Sequence, residues 1–183
     1  MSQPKYVLAV RHAPTVSAGL CVGNAEVACT LSEQDAAERI LSRVDGCRFI
    51  RVWTSPIERC RAPAALIARR LRLPLGVDER LQEISLGEWQ LRTWDAIAAS
   101  EPERYQAWLE NWLSEAPPGG ELPSTLVRRV GEWWSGLPSG QHLLISHAGV
   151  NRALRVLVHG QSWTQAMSTA VPHLEAEGFT DQP

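Results

Sequence analysis

Along the chain, compact apolar runs alternate with longer stretches whose apolar residues recur at helical spacing. Lys5 to Arg11 (KYVLAVR) is a compact run that opens directly into the polar turn Arg11-His12-Ala13-Pro14-Thr15, which predicts a buried strand ending at a site. Thr30-Leu31-Ser32-Glu33 has the capping-box form, a hydroxyl and a carboxylate able to satisfy each other's backbone donors, and predicts a helix reaching Val44. Phe49 to Thr54 (FIRVWT) predicts a second strand, and Ser55-Pro56 starts a second helix that carries Arg59 and Arg61. Pro63 falls inside that helix, where its ring pushes on the carbonyl of Arg59 and removes a ladder bond, so a kink or a late start is expected.

Leu75 to Asp78 predicts a short third strand, while Leu81 to Trp89 has no sustained period and reads as loop, where polar residues on a rigid scaffold tend to be functional. Trp94 to Ser100 and Glu103 to Glu115 have helical spacing, the latter placing Trp108 and Trp112 at i, i+4 on one face. Pro117-Pro118-Gly119-Gly120 ends it, and a further helix runs from Ser124 to about Trp134. His142 to Ser146 (HLLIS) predicts a strand opening into Ser146-His147-Ala148-Gly149, followed by a helix over Val150 to Val158. No repeat or linker interrupts the pattern. The expected fold is therefore α/β, three-layer, with a mainly parallel central sheet flanked by helices in a single domain over residues 1–183.

Composition narrows the partners. With 18 Lys and Arg against 20 Asp and Glu, the net charge of -2 gives no long-range field to hold nucleic acid or an acidic membrane surface, so any anion must be bound locally. The apolar run before Arg11 is too short for a signal peptide and no later stretch reaches membrane-spanning length, which leads to the expectation of a soluble cytoplasmic protein. Cys21, Cys29, Cys47 and Cys60 form neither a CxxC pair nor a His-containing ligand set, and read as reduced, mostly buried thiols. The cluster Trp108, Trp112, Trp133 and Trp134 suits core or lid, a platform for an aromatic leaving group, or a homodimer contact.

Two predicted strands end in histidine, Arg11-His12 and Ser146-His147, and in an open α/β sheet strand carboxyl ends share the edge where ligands bind. Arg59, at the start of the helix after the second strand, reaches the same edge. Arg11, His12, Arg59 and His147 together make a set of donors suited to a phosphate dianion, because guanidinium groups grip its oxygens bidentately. The remaining histidines, His142, His159 and His173, belong to no motif and read as structural or solvent-exposed.

On these residues the chain resembles the histidine phosphatase, or phosphoglycerate-mutase-like, superfamily. Arg11-His12-Ala13-Pro14-Thr15 is similar to its RHG-type signature, and Ser55-Pro56-Ile57-Glu58-Arg59-Cys60-Arg61 to its SPLxRAR element. Leu81-Gln82-Glu83-Ile84 with Leu86-Gly87-Glu88-Trp89 is similar to its LxE...FGEWE segment, and Ser146-His147-Ala148-Gly149-Val150 to its SHGGV. The likeness spans roughly residues 5–160, and Gly19 to Gly23 with Pro117 to Glu121 resembles the alpha-ribazole phosphatase branch of cobalamin synthesis.

The resemblance implies a phosphomonoesterase without metal or cofactor. His12 attacks phosphorus, Arg11, Arg59 and His147 hold the equatorial oxygens, and Glu83 protonates the leaving alkoxide before activating water, with Glu88 as the rival acid. It also implies a helical cap insertion over about residues 94–121. The expected partner is a small-molecule phosphate ester, with alpha-ribazole 5'-phosphate leading. A broad-specificity phosphatase, a phosphoglycerate mutase and a non-catalytic phospho-ligand-binding protein are the alternatives. Four positions depart from the pattern: Ala13 replaces a glycine and is expected to narrow the approach to phosphate, Pro14 removes a donor, Gln90 replaces a glutamate, and Ala18 stands at the place of an asparagine.

Overall fold

The structure, a computed structural model, describes residues 4–181. Its order is β1 (Lys5–Arg11), α1 (Glu33–Arg43), β2 (Arg51–Thr54), α2 (Glu58–Leu71), β3 (Leu75–Val77), α3 (Trp94–Ser100), α4 (Pro102–Asn111), α5 (Pro123–Ser135), β4 (Gly140–Ser146), α6 (Ala148–His159), α7 (Trp163–Ser168) and β5 (Ala176–Thr180), with short 3-10 turns at Glu79–Leu81 and Gly87–Trp89. The strands form one sheet in the order β3-β2-β4-β1-β5. All neighbours are parallel except β5, which runs antiparallel to β1 at one edge.

Side-chain alternation builds two cores on this sheet. Val10 of β1 and Leu143 and Ile145 of β4 face α1 and α2, packing on Ile40, Ala64 and Ile67, while Val7, Ala9 and Leu144 face α5 and α6, packing on Leu126, Val130 and Leu154. Each fully buried Leu, Ile or Val contributes roughly 1.5–3 kcal/mol. The helix after β1 therefore covers one face and the helix after β4 the other. That divergence between adjacent strands opens a crevice at their carboxyl ends, the place where such sheets bind ligands.

One local expectation is corrected. Thr30 is committed to the Pro14 carbonyl through its hydroxyl and its N–H, so Ser32 caps α1 instead, accepting the Asp35 N–H at 3.1 Å. The second helix starts at Glu58 and runs through Pro63, which removes only the N–H that would have reached the Arg59 carbonyl.

The segment after α6 was not legible as structure. A capping box of Ser162 and Gln165 starts α7, and Arg155, buried on α6, ties the following chain down. It grips Glu177 of β5 bidentately at 2.7 and 2.9 Å and donates to the carbonyls of Ala166, Thr169 and Ala170. Outside the two main cores, α3 and α4 rest on a small cluster of Cys21, Trp89 and Ile97. No residue of α4 is fully buried, as befits a helix lying over a cavity. No helix among the described residues is long and apolar enough to cross a membrane.

Candidate active site

Strands β1 and β4 end in register, Arg11 opposite Ser146, so His12 and His147 leave adjacent strand ends together. Their ring centroids lie 5.3 Å apart with the planes inclined at 65°. Strand β2, on the other side of β4, leads into α2, whose first turn carries Arg59 into the same crevice. Arg59 is 6 % exposed and its Nε donates to His12 Nε2 at 3.3 Å. Its two terminal nitrogens donate to the carbonyls of Ala25 (2.6 Å) and Gly23 (2.9 Å), which hold the guanidinium flat against the site.

The tautomer of His12 follows from its neighbours. Nδ1 lies 2.7 Å from the Ala13 carbonyl, which can only accept, so Nδ1 carries the proton and Nε2 carries the lone pair. Burial pushes His12 down to about 3, opposed by the Ala13 bond and reinforced by Arg59, Arg11 and His173. The imidazole is thus neutral at physiological pH. His147 is 0 % exposed and its basicity lies well below the ordinary histidine range, first through burial and then through Arg59. The Cys60 thiol lies against its ring, 3.5 Å from Nε2, and burial holds that sulfur protonated. Arg11 donates Nη1 to the Val171 carbonyl at 2.8 Å, while its Nε is buried without a protein partner.

Glu83 lies in the loop after the first 3-10 turn and accepts the Gly149 N–H on both carboxylate oxygens, each at 3.1 Å, at the first turn of α6. Arg129 of α5 fixes this loop from below. It donates to the carbonyls of Arg80 and Gln82 at 2.7 Å and of Glu83 at 3.2 Å, and pairs with Glu121 at 2.7 Å. Glu88 is exposed, with its backbone N–H on the Pro118 carbonyl. Beside Glu83 opens a cavity of about 270 Å³, walled by Trp94, Trp108, Trp112, Trp163 and Met167. Trp108 lines this cavity and also packs in an aromatic cluster, stacking on Trp94 at 5.5 Å and meeting Trp89 edge-on. Arg152 of α6 lines the cavity too; burial pulls its guanidinium below the ordinary arginine range, and the negative charge of Glu83 only partly offsets this.

A Cβ built on Gly149 would overlap Glu83 Oε1. Because that atom is the end of a flexible side chain, Gly149→Ala is expected to move the carboxyl group at little cost in stability. Turnover should fall by roughly 10- to 100-fold. Steady-state kinetics beside a thermal melt check this, and an unchanged kcat would show that the position of Glu83 is not needed.

Two of the departing residues have local explanations. The Ala13 side chain is 1 % exposed and packs in the core beneath α1 and α2. Gln90 Oε1 accepts the N–H groups of Asn24 and Leu86, both at 3.2 Å, joining two loops beside the site. His142 is structural, taking the Trp53 indole N–H and donating to the Pro138 carbonyl. His173 is the exception among the histidines outside the motifs, since its ring meets His12 at 5.3 Å. Among the described residues, no three His, Cys, Asp or Glu side chains gather where they would hold a metal ion. All four cysteines are free, with Cys21 and Cys60 buried and Cys47 exposed.

Residues 7–176 match the family model described as Histidine phosphatase superfamily (branch 1). The chain is 29 % identical over 147 residues to the adenosylcobalamin/alpha-ribazole phosphatase of Escherichia coli (strain K12), a match covering 77 % of this chain and 72 % of that one. To the protein of the same name from Salmonella typhimurium it is 30 % identical over 147 residues, covering 77 % and 73 %. The crystal structure of the alpha-ribazole phosphatase from Shigella flexneri has the same fold, with a TM-score of 0.86 at 23 % identity over 97 % of this chain and 94 % of that one.

Proposed function

The chain belongs to branch 1 of the histidine phosphatase superfamily and is a phosphoric monoester hydrolase; from that premise we propose that it passes the phosphoryl group of alpha-ribazole 5'-phosphate through His12 to water. The observation that carries the chemistry is the His12 tautomer. With Nδ1–H spent on Ala13, the Nε2 lone pair is the nucleophile, and its bond to Arg59 Nε at 3.3 Å is long enough to yield to an incoming phosphate.

In the first step Nε2 bonds to phosphorus, the ester P–O bond breaks, and Glu83 delivers a proton to the departing alkoxide. Arg11, Arg59 and His147 donate to the equatorial oxygens where charge is spread, which supplies the stabilisation a metal ion provides elsewhere. In the second step water attacks the phosphohistidine and loses its proton to the Glu83 carboxylate. The P–N bond then breaks, restoring neutral His12 and releasing phosphate.

Two observations support the substrate. The relatives' names include alpha-ribazole, and the cavity beside Glu83 is lined by indole rings suited to a planar aromatic leaving group. The sensor alternative is set aside because binding a phosphate dianion gives no use to a carboxyl group at the mouth of the pocket. We place the reaction in the cytoplasm, where four free cysteines stay reduced.

The test is a panel of alpha-ribazole phosphate, p-nitrophenyl phosphate, phosphoserine and 3-phosphoglycerate, assayed with and without a chelator. The expected kcat/KM for alpha-ribazole phosphate exceeds the others by roughly 10- to 100-fold, with no effect of chelator. Equal rates across the panel would instead favour broad specificity. Isomerisation of phosphoglycerate outpacing phosphate release would make the protein a mutase.

A further inference from the structure

Every backbone and ring group of His12 that does not face phosphate is already engaged. Its N–H donates to the Ser146 carbonyl at 2.9 Å, its Nδ1–H to the Ala13 carbonyl at 2.7 Å, and its own carbonyl lies 2.7 Å from His173 Nδ1. A carbonyl only accepts, so His173 donates through Nδ1. The His173 ring also packs edge-on against the His12 ring, centroids 5.3 Å apart at 61°, on the nucleophile as His147 is. The imidazole of His12 is thereby in contact with two others.

The chain around His173 is built to hold it there. Arg11 Nη1 donates to the Val171 carbonyl at 2.8 Å and the Leu174 N–H donates to the Arg11 carbonyl at 2.9 Å, so the segment is fastened to β1 on both sides of His173. Leu174 has φ 61°, a left-handed conformation unfavourable to a residue with a Cβ, and its side chain is buried in the core under α1 and α2. A conformation held against local preference is one the surrounding contacts determine.

We propose that His173 is a positioning residue for the nucleophile, donating Nδ1–H to the His12 carbonyl and fixing the direction in which His12 Nε2 points. The inference rests on His12 being the nucleophile. Substrate is not touched by this bond, so its loss should lower the rate of attack and leave binding nearly intact. The discriminating substitutions use amide geometry: Asn places its amide N–H near the position of Nδ1, whereas Gln places it near Nε2.

Steady-state kinetics of His173→Ala, His173→Gln and His173→Asn, with His12→Ala alongside and the folded fraction of each followed by thermal melts, test the proposal. For the Ala and Gln variants kcat should fall roughly 10- to 100-fold with KM within about threefold, and the Asn variant should recover to within about threefold of the parent. A parental kcat in His173→Ala, or an Asn variant no better than Gln at equal folded fraction, would overturn it. If His173→Ala does not fold, the Asn and Gln pair, which fills the ring's space, decides alone. Full activity in His12→Ala would bring down the nucleophile reading itself, whereas an inactive His12→Ala beside an active His173→Ala removes the present inference only.

Discussion

His12→Ala should lose about 10,000-fold or more in turnover while still binding phosphate. The substitution removes the lone pair proposed to attack phosphorus, and no neighbour replaces it. His147 is bounded by the Cys60 thiol, Glu83 is held on the Gly149 N–H, and Arg11 and Arg59 remain cationic donors with nothing to give phosphorus. The proposed anion-binding donors survive, and Arg59 Nε–H, freed from His12 Nε2, becomes available to donate to phosphate. Activity and inorganic-phosphate affinity should therefore separate. Parallel loss of both would mean that the substitution had collapsed the pocket, and retained turnover would mean that another group attacks.

Glu83→Gln is the second large effect, and its size should depend on the leaving group. The amide oxygen can still accept the Gly149 N–H, so the loop, held independently by Arg129 through the Arg80 and Gln82 carbonyls, stays in place. Gln has no proton to deliver to an alkoxide, and turnover of an alkyl phosphate is expected to fall by roughly 100- to 10,000-fold. With p-nitrophenyl phosphate the first step needs no acid, because the phenolate is a good leaving group. The second step still lacks its base, so stopped-flow absorbance should show a burst of nitrophenolate close to one equivalent, then slow turnover. Equal losses for both esters without a burst would assign Glu83 to binding, and normal turnover would return attention to the exposed Glu88.

The parts of this site legible in the sequence are those set by local pattern. Apolar runs marked β1 and β4, the polar residue after each marked the edge, and the offset of Arg59 from Ser55-Pro56 placed it on the first turn of α2. Glu83 was picked out by the family resemblance of its segment and not by local pattern, and its loop is irregular because side chains elsewhere hold it. What stayed hidden depends on backbone carbonyls as acceptors, which every residue has and which leave no mark in a sequence. Arg129 and Arg155 look like solvated helix arginines until their carbonyl partners are seen. His173 belongs to no motif, and its partner is the main chain of a residue 161 positions away. Short β5 carries a glycine and a glutamate among its residues and is held as an edge by pairing to β1 and by Arg155, so its own pattern says little. The misplaced cap of α1 has the same origin: Thr30 and Ser32 are locally equivalent hydroxyls, and the long-range bond to Pro14 decided between them.

The covalent intermediate is where the account is most directly exposed. Mixing the enzyme with a phosphate ester labelled in the phosphoryl group, quenching in base within milliseconds and mapping the labelled peptide should give up to one acid-labile phosphoryl group per chain, on Nε2 of His12. A quenched enzyme that turns over substrate yet carries no phosphoryl group, or carries it on any residue other than His12, would contradict it.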